Sequence, residues 1–275
     1  MIALARSLTL ALALAITGAA AQAADRARLE EFLEVTGFDV ALESIRLSAS
    51  SAPQMLGLEA DDFGAQWTVL ADNVFDTDTM HDMAVDILGE TLEDDLLDHA
   101  MDFYASDLGR RLVIAENDSH MEDDSDTKTE AGQAIVEGLV RIGSPRLAAL
   151  KRMNQASDSA GTAVRAIQEV QVRFLLAAAG AGVIDLKMEE PDLREALRAD
   201  EDALRLSISE GALTGAAYTY QAFSDAEVLE YAKALEDPKM RKVYDLMNAV
   251  QYEIMANRYE ALAARMRDLQ PTQEL

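Results

Sequence analysis

The sequence predicts an all-α protein, a helical bundle or array made of two similar helical units. Three observations predict it. Apolar residues recur at three- and four-residue spacing through nearly the whole chain. No segment sustains strand alternation bounded by turn dipeptides. Glycine and proline are sparse, 14 and 5 in 275 residues, while alanine and glutamate, both helix formers, surround the apolar positions. With 49% hydrophobic residues the chain can bury a core and is not a disordered polymer.

Residues 1–23 read as a secretory signal peptide. Arg6 supplies the positive start, Leu8 to Ile16 a short apolar core, Gly18 a break and Ala21-Gln22-Ala23 a cleavage site. That apolar core is shorter than the roughly 20 residues a bilayer span requires. No cysteine follows the cleavage site, because the chain has none; disulfides, thiolate metal sites and lipid attachment at cysteine are thereby excluded. The expected mature chain is exported and starts at Ala24.

The first unit is expected over 24–153. Leu29, Phe32 and Leu33 form its first apolar stripe, and Leu42 and Ile45 resume the pattern after Gly37. Trp67, Leu70 and Val74 make the next stripe, Met80, Met83 and Ile87 another, and Leu96, Ala100 and Phe103 step along one helix face. Phe38, Val40, Leu42 and Leu204, Leu206, Ile208 come closest to strand alternation, although the second set also fits a helix through Ala212 and Ala216. Thr91 with Asp94 and Ser224 with Glu227 have capping-box spacing. Ser144-Pro145 and Asp237-Pro238 place a capping side chain before a proline at the first helical position, and Pro191 opens a short charged helix. Residues 116–130, ENDSHMEDDSDTKTE, hold seven acidic residues and no apolar one but Met121, and are expected to be an exposed acidic link, either a loop or a frayed helical connection.

The second unit is expected over 154–275, after the small polar stretch NQASDSAGT. Two segments show a likeness at an offset of 131 residues: LEDDLLDHAMDFYASDLGRRL from Leu92 to Leu112, and FSDAEVLEYAKALEDPKMRKV from Phe223 to Val243. Each reads as a capped helix, a tight corner and a basic pair opening a new helix. At these corners the chain resembles an exported bacterial family built on a domain of unknown function, with the pattern L-S-x-x-E-L followed by F-Y-x-S-P-x-G-x-x-L. The first copy keeps Phe103-Tyr104, Ser106 and Gly109 but has Asp107 for the proline. The second keeps Pro238 but has Met240 for the glycine. The resemblance implies an all-α, non-cytoplasmic protein and carries no catalytic residues.

Chemistry-bearing residues are few. Lys plus Arg is 24 against 50 Asp plus Glu, a formal net charge of −26. Such a chain is repelled by nucleic acid and by anionic membrane surfaces. His81 with Met80 and Met83, His99 with Met101, and His120 with Met121 place sulfur near imidazole, a pairing that suits copper. Yet His81 and Met83 lie on different sides of a helix, and methionine at helical spacing is core filler. Calcium readings from Asp76-x-Asp78 and from the run Glu122, Asp123, Asp124 and Asp126 lack the glycine at the sixth and the glutamate at the twelfth loop position. No nucleophile elbow, zincin helix or phosphate loop occurs. The residues therefore assign no catalytic group, no metal and no cofactor.

Six of the seven tyrosines follow residue 217, and the last long helix carries the stripe Met240, Val243, Met247, Val250 and Ile254. Tyr244, Tyr252, Met255 and Tyr259 are the candidate partner-binding residues, for another protein or a second copy of the chain. Tyr252 and Tyr259 are expected to be at least partly accessible; a helix covered on both sides is the competing expectation. The function expected is a non-enzymatic binding or assembly module of the cell envelope, with a small-molecule or cation-binding helical protein as the alternative and a carboxylate hydrolase as the third class. Export is directly testable. N-terminal sequencing of the exported protein should begin at Ala24, and a chain retaining Met1 would overturn the leader assignment.

Overall fold

The computed structural model describes residues 26–57, 65–122, 125–158, 161–267 and 269, and among them it contains helices and no strand. The export segment 1–23 lies outside the described residues. A first helix α1 over 26–36 is followed by α2 (Phe38–Ser48), a 3₁₀ turn (Ala49–Leu56), α3 (Ala65–Val74), α4 (Thr77–Thr91), α5 (Asp94–Tyr104) and α6 (Asp107–His120). Then come α7 (Ser125–Ile142), α8 (Pro145–Ser157), α9 (Thr162–Gly180), α10 (Glu190–Ala199), α11 (Glu201–Thr219), α12 (Asp225–Leu235) and α13 (Pro238–Met266). Both strand-like stretches are helical, in α2 and α11.

The starts of the helices follow their capping chemistry. Asp76 accepts from Thr79 N at 2.9 Å, Ser106 from Gly109 N at 3.0 Å, Ser144 from Arg146 N at 3.3 Å and Asp237 from Lys239 N at 2.8 Å. Ser224 and Glu227 form the expected capping box; together with Arg111, its bonds hold the Glu227 carboxyl down at about 2. Thr91 does not cap α5 as its spacing suggests. It ends α4, where its hydroxyl bonds back to Ile87 O at 2.7 Å, and Glu93 takes the cap position. Gly109, which weakens a helix on propensity alone, is demanded by packing: a Cβ there would lie 2.3 Å from Phe103 O and 2.6 Å from Tyr104 Cα.

The architecture is an array around α13, a helix of 29 residues and roughly 43 Å at 1.5 Å per residue. Helix α9 lies along one side of it, while α3, α4 and α5 cover another. Helix α12 packs on α8, and α7 on α11. The last pair approaches closely because Gly132 has no side chain; a Cβ there would come within 2.4 Å of Thr214 O. One hydrophobic cluster runs from Leu29 to Met266, and the expected unit boundary at 153/154 falls inside α8. Trp67 is core, as its stripe suggests. In α4 the buried positions are Met80, Ala84, Val85 and Leu88, so the face is rotated and leaves Met83 and Ile87 half-buried.

The expected link over 116–130 is helical in its larger part and not a loop, and Asp118, Glu122, Asp126 and Glu130 are exposed. Helix α6 continues to His120 and α7 begins at Ser125, so of the described residues only 121–122 are non-helical. The polar run stays helical because neighbours satisfy it: Lys128 donates to Ser119 O at 2.6 Å, Thr219 to Ser119 Oγ at 2.8 Å, and phenols reach Glu116.

The two corner segments have matching bounds. Helices α5 and α12 each span 11 residues, and their successors begin at Asp107 and Pro238, preserving the offset seen in the sequence. They also meet reciprocally: Arg111 of α6 pairs with Glu227 of α12 at 2.6 Å, and Lys239 of α13 with Asp95 of α5 at 3.2 Å. Arg146, only 8% exposed, fastens α8 to the bend between α11 and α12. It donates to Phe223 O at 2.8 Å, Asp225 Oδ1 at 2.9 Å and Tyr220 O. Arg146→Met keeps the packing volume but strands those carbonyls, so it should lower unfolding stability by roughly 2–3 kcal/mol. Urea titration reads this as a lower midpoint at unchanged slope; an unchanged midpoint would refute the role given to this side chain.

Candidate functional site

Five segments of the chain gather four phenols and one carboxylate, and two of the phenols bond it directly. The buried stripe of α6 runs Leu108, Leu112 and then, one turn further on, Glu116. Tyr104 ends α5, Tyr220 follows α11, Tyr231 belongs to the buried stripe of α12, and Tyr244 lies in the second turn of α13. Tyr220 OH donates to Glu116 Oε1 at 2.6 Å and Tyr231 OH to the same oxygen at 2.8 Å. Tyr244 OH lies 2.9 Å from Tyr231 OH and 2.5 Å from Tyr104 OH, which is itself 3.2 Å from Tyr231 OH. A phenol has one hydrogen, and Tyr231 gives its own to the carboxylate, so toward the other phenols it accepts. Phe103 stacks on the Tyr231 ring at 5.7 Å, and Tyr220 meets that ring edge-on at 5.7 Å.

Burial governs the protonation of the cluster. It pushes the phenols of Tyr104, Tyr220, Tyr231 and Tyr244 up, and the negative charge of Glu116 adds to the shift of each. Glu116 as a residue is half-buried, but burial of its carboxyl raises it above the ordinary glutamate value against the opposing pull of the Tyr220 and Tyr231 bonds. His120, one turn beyond, is pushed down by burial and by the nearby Lys128 charge.

Two members of the cluster, Glu116 and Tyr244, line a cleft of about 710 Å³, within the size range of small-molecule sites, about 300–1,000 Å³. Glu116, Asn117 and His120 line it from α6, Lys151 and Asn154 from α8, Val164 from α9, Arg205, Ile208 and Ala212 from α11, and Tyr244, Asn248, Gln251 and Tyr252 from α13. A smaller neighbouring pocket shares Glu116, His120, Asn154, Ala212 and Tyr244, and adds Lys128, Tyr220 and Tyr231. The walls are thus mixed: aliphatic side chains, several carboxamides, and few fixed charges.

Of the four candidate partner-binding residues, the structure brings two to this cleft. The Tyr244 phenol joins the cluster, and Tyr252 is a half-buried wall of the cleft whose phenol burial also pushes up. Met255 is half-buried against the hydrophobic cluster. Tyr259 corrects the expectation of accessibility: it is 5% exposed, with its ring edge-on to Phe75 at 5.2 Å and to Phe174 at 5.6 Å. Covering of α13 on both sides is what the structure shows, with Val250 and Ile254 buried as expected. The histidines are separated: His81 pairs with Asp39 at 2.8 Å and His99 with Asp237 at 3.2 Å. Among the described residues no three His, Asp or Glu side chains are grouped to hold a metal. Sequence reasoning missed Glu116, Tyr104, Tyr220 and Tyr231 as a site. The available signal was Glu116 itself, a charge placed four and eight residues after core leucines.

Residues 78–138, from α4 into α7 and including Tyr104 and Glu116, match a family model described as an uncharacterized protein conserved in bacteria (DUF2059). The match covers the whole of the first corner segment and stops short of the second. No curated protein and no solved structure matches the chain.

The raised Glu116 carboxyl has a definite sign for stability. The folded state takes up this proton more readily than the unfolded chain, so the contribution is complete below the ordinary glutamate value and is lost as pH rises through the raised one. Glu116→Gln retains an acceptor for both phenols and removes the buried charge. It should melt at a higher temperature than the parent at neutral pH, and the gap should close as pH falls below the ordinary carboxylate range. A variant that melts lower at neutral pH would show that the charge stabilises the fold.

Proposed function

We propose that this chain is an exported, non-enzymatic helical module that binds a small molecule in the cleft between α6, α8, α9, α11 and α13. The observation that carries the reading is the cleft itself, a 710 Å³ concavity walled by carboxamides and aliphatic groups, with the Glu116 and Asp158 carboxylates and the Lys151 and Arg205 cations in its lining. Binding fits better than catalysis. The phenols are held neutral, far from the range in which a general acid or base works near neutral pH, and no activated nucleophile adjoins Glu116. A macromolecular contact through Tyr244, Tyr252, Met255 and Tyr259 loses ground, because Tyr259 is core and the two other tyrosines face the cleft. Export rests on the leader-like residues 1–23. Among the described helices none is long and apolar enough to cross a membrane.

The corner segments are read as copies of one helix–corner–helix unit. The matching bounds and the reciprocal pairs Arg111–Glu227 and Lys239–Asp95 support this. Under that reading the cluster forms where the copies meet, with Tyr104 and Glu116 from the first and Tyr231 and Tyr244 from the second.

Ala212 is exposed on α11 and lines the cleft, so Ala212→Trp fills the space without displacing core. Added to the purified chain, the low-molecular-weight fraction of a bacterial extract should raise the melting temperature of the parent and leave Ala212→Trp unmoved, since a ligand stabilises the folded state in proportion to ln(1 + [L]/Kd). An equal shift in both proteins would place binding elsewhere and overturn the assignment.

A further inference from the structure

We infer that the cleft takes a small molecule carrying an ammonium group, and that Glu116 is its anchor; the inference rests on the small-molecule reading of the cleft and names the chemistry of its ligand. Both hydrogen bonds described for Glu116 fall on one oxygen, Oε1, and both come from neutral phenols. Among the described residues no cation pairs with it. The nearby cations are occupied or peripheral: Lys128 donates to Ser119 O at 2.6 Å, Arg205 pairs with Glu201 at 2.5 Å, and Lys151 is exposed. His120 is biased toward its neutral form. A carboxylate partly removed from water with no counter-charge is a destabilised anion, and a ligand that supplies the cation recovers the interaction in a low-dielectric setting.

Other ligand classes fit less well. An anion would meet Glu116 at the floor. A calcium-like ion wants roughly six to eight oxygens, and the second carboxylate of the cleft is engaged through both oxygens: Asp158 Oδ1 accepts from Thr162 N at 2.7 Å and Thr162 Oγ at 2.8 Å, and Oδ2 from Ala163 N at 3.4 Å. The field of a chain with net charge −26 draws cations toward it. Asn117, Asn154 and Gln251 offer donors and acceptors for the rest of an amine-bearing molecule. Such chemistry has two sources: a polyamine, or the amino terminus of an amino acid or short peptide, whose carboxylate would lie toward Lys151 and Arg205.

Acid weakens such a site in a predictable way. Protonation of Glu116 removes the counter-charge, and burial makes that begin at a higher pH than for a surface carboxylate. The groups facing it are Tyr104, Tyr220, Tyr231 and Tyr244, which stay neutral through this range, with His120 and Lys128 alongside and Lys151, Asp158, Arg205 and Tyr252 farther out around the cleft.

Calorimetric titration of the purified chain tests the assignment with three probes: spermidine, alanyl-alanine and its N-acetylated form. At neutral pH either spermidine or alanyl-alanine should bind, which of them identifying the source, and the acetylated peptide should not. Glu116→Gln, shown to be folded by circular dichroism, should weaken the binding at least about tenfold. The parent's affinity should fall as pH drops through the carboxyl range, a readout that requires no variant. Binding of neither amine, equal binding of the acetylated peptide, or unchanged affinity in Glu116→Gln would overturn the ammonium assignment. Acetylated peptide that binds the parent but not Ala212→Trp would leave the cleft in place and remove only the amine. Amine binding that survives Ala212→Trp would remove the cleft itself.

Discussion

A 29-residue helix that is apolar around most of its circumference has to be covered around most of its circumference, and the rest of the molecule follows from that requirement. The buried positions of α13 run from Met240 through Val250 and Ile254 to Met266, and they include Ala256, Tyr259 and Ala263, which lie off the main stripe. One partner helix cannot hide so wide a surface; α9 takes one side and α3, α4 and α5 another. Burying apolar area on this scale is the main favourable contribution to folding. It also explains why the two corner segments come together, since α13 grows directly out of the second corner and packs against α5 of the first.

The same constraint makes the cleft. The covering of α13 is incomplete where its polar residues lie: Tyr244, Asn248, Gln251 and Tyr252 line the cleft, within reach of α6, α8 and α11. There Asn248 donates to Ser157 O at 2.7 Å, fastening the end of α8 to α13 beside the cleft. A concavity thus arises at the polar interruption of an otherwise buried helix, and beside it the phenol cluster ties α5, α6, α12 and α13 together.

Most of the fold was legible because helical periodicity and capping chemistry are local. Ser144, Ser224 and Asp237 cap as their spacing suggests, and Trp67, Val250 and Ile254 are core. What was not legible depends on which neighbours arrive. Residues 116–130 read as a link because a run of seven acids offers nothing to bury; α6 and α7 form there because Lys128, Thr219 and two phenols satisfy it from elsewhere in the chain. Tyr259 read as surface because it lies well around the helix from Ile254, and the position of Phe75, some 180 residues earlier, cannot be seen from α13 alone. The site itself was only partly legible: Tyr244 and Tyr252 were singled out, but for a partner surface, and the carboxylate that gives them a common purpose went unremarked.

Glu116 is the residue whose presence packing does not explain. Its place in the sequence of α6, following Leu108 and Leu112 on the core-facing stripe, is one that a leucine could occupy with gain in burial but with the Tyr220 and Tyr231 bonds lost, and a glutamine could occupy with both phenol bonds kept. Either would spare the fold a carboxyl that burial pushes away from ionisation. What neither can supply is a negative charge at the floor of a cleft. Proteins tolerate a locally unfavourable group where it serves a site and the surroundings hold it in place, and two phenols, Tyr220 and Tyr231, hold this one directly. The side chain that fits the fold least is therefore the one that says most about what enters the cleft.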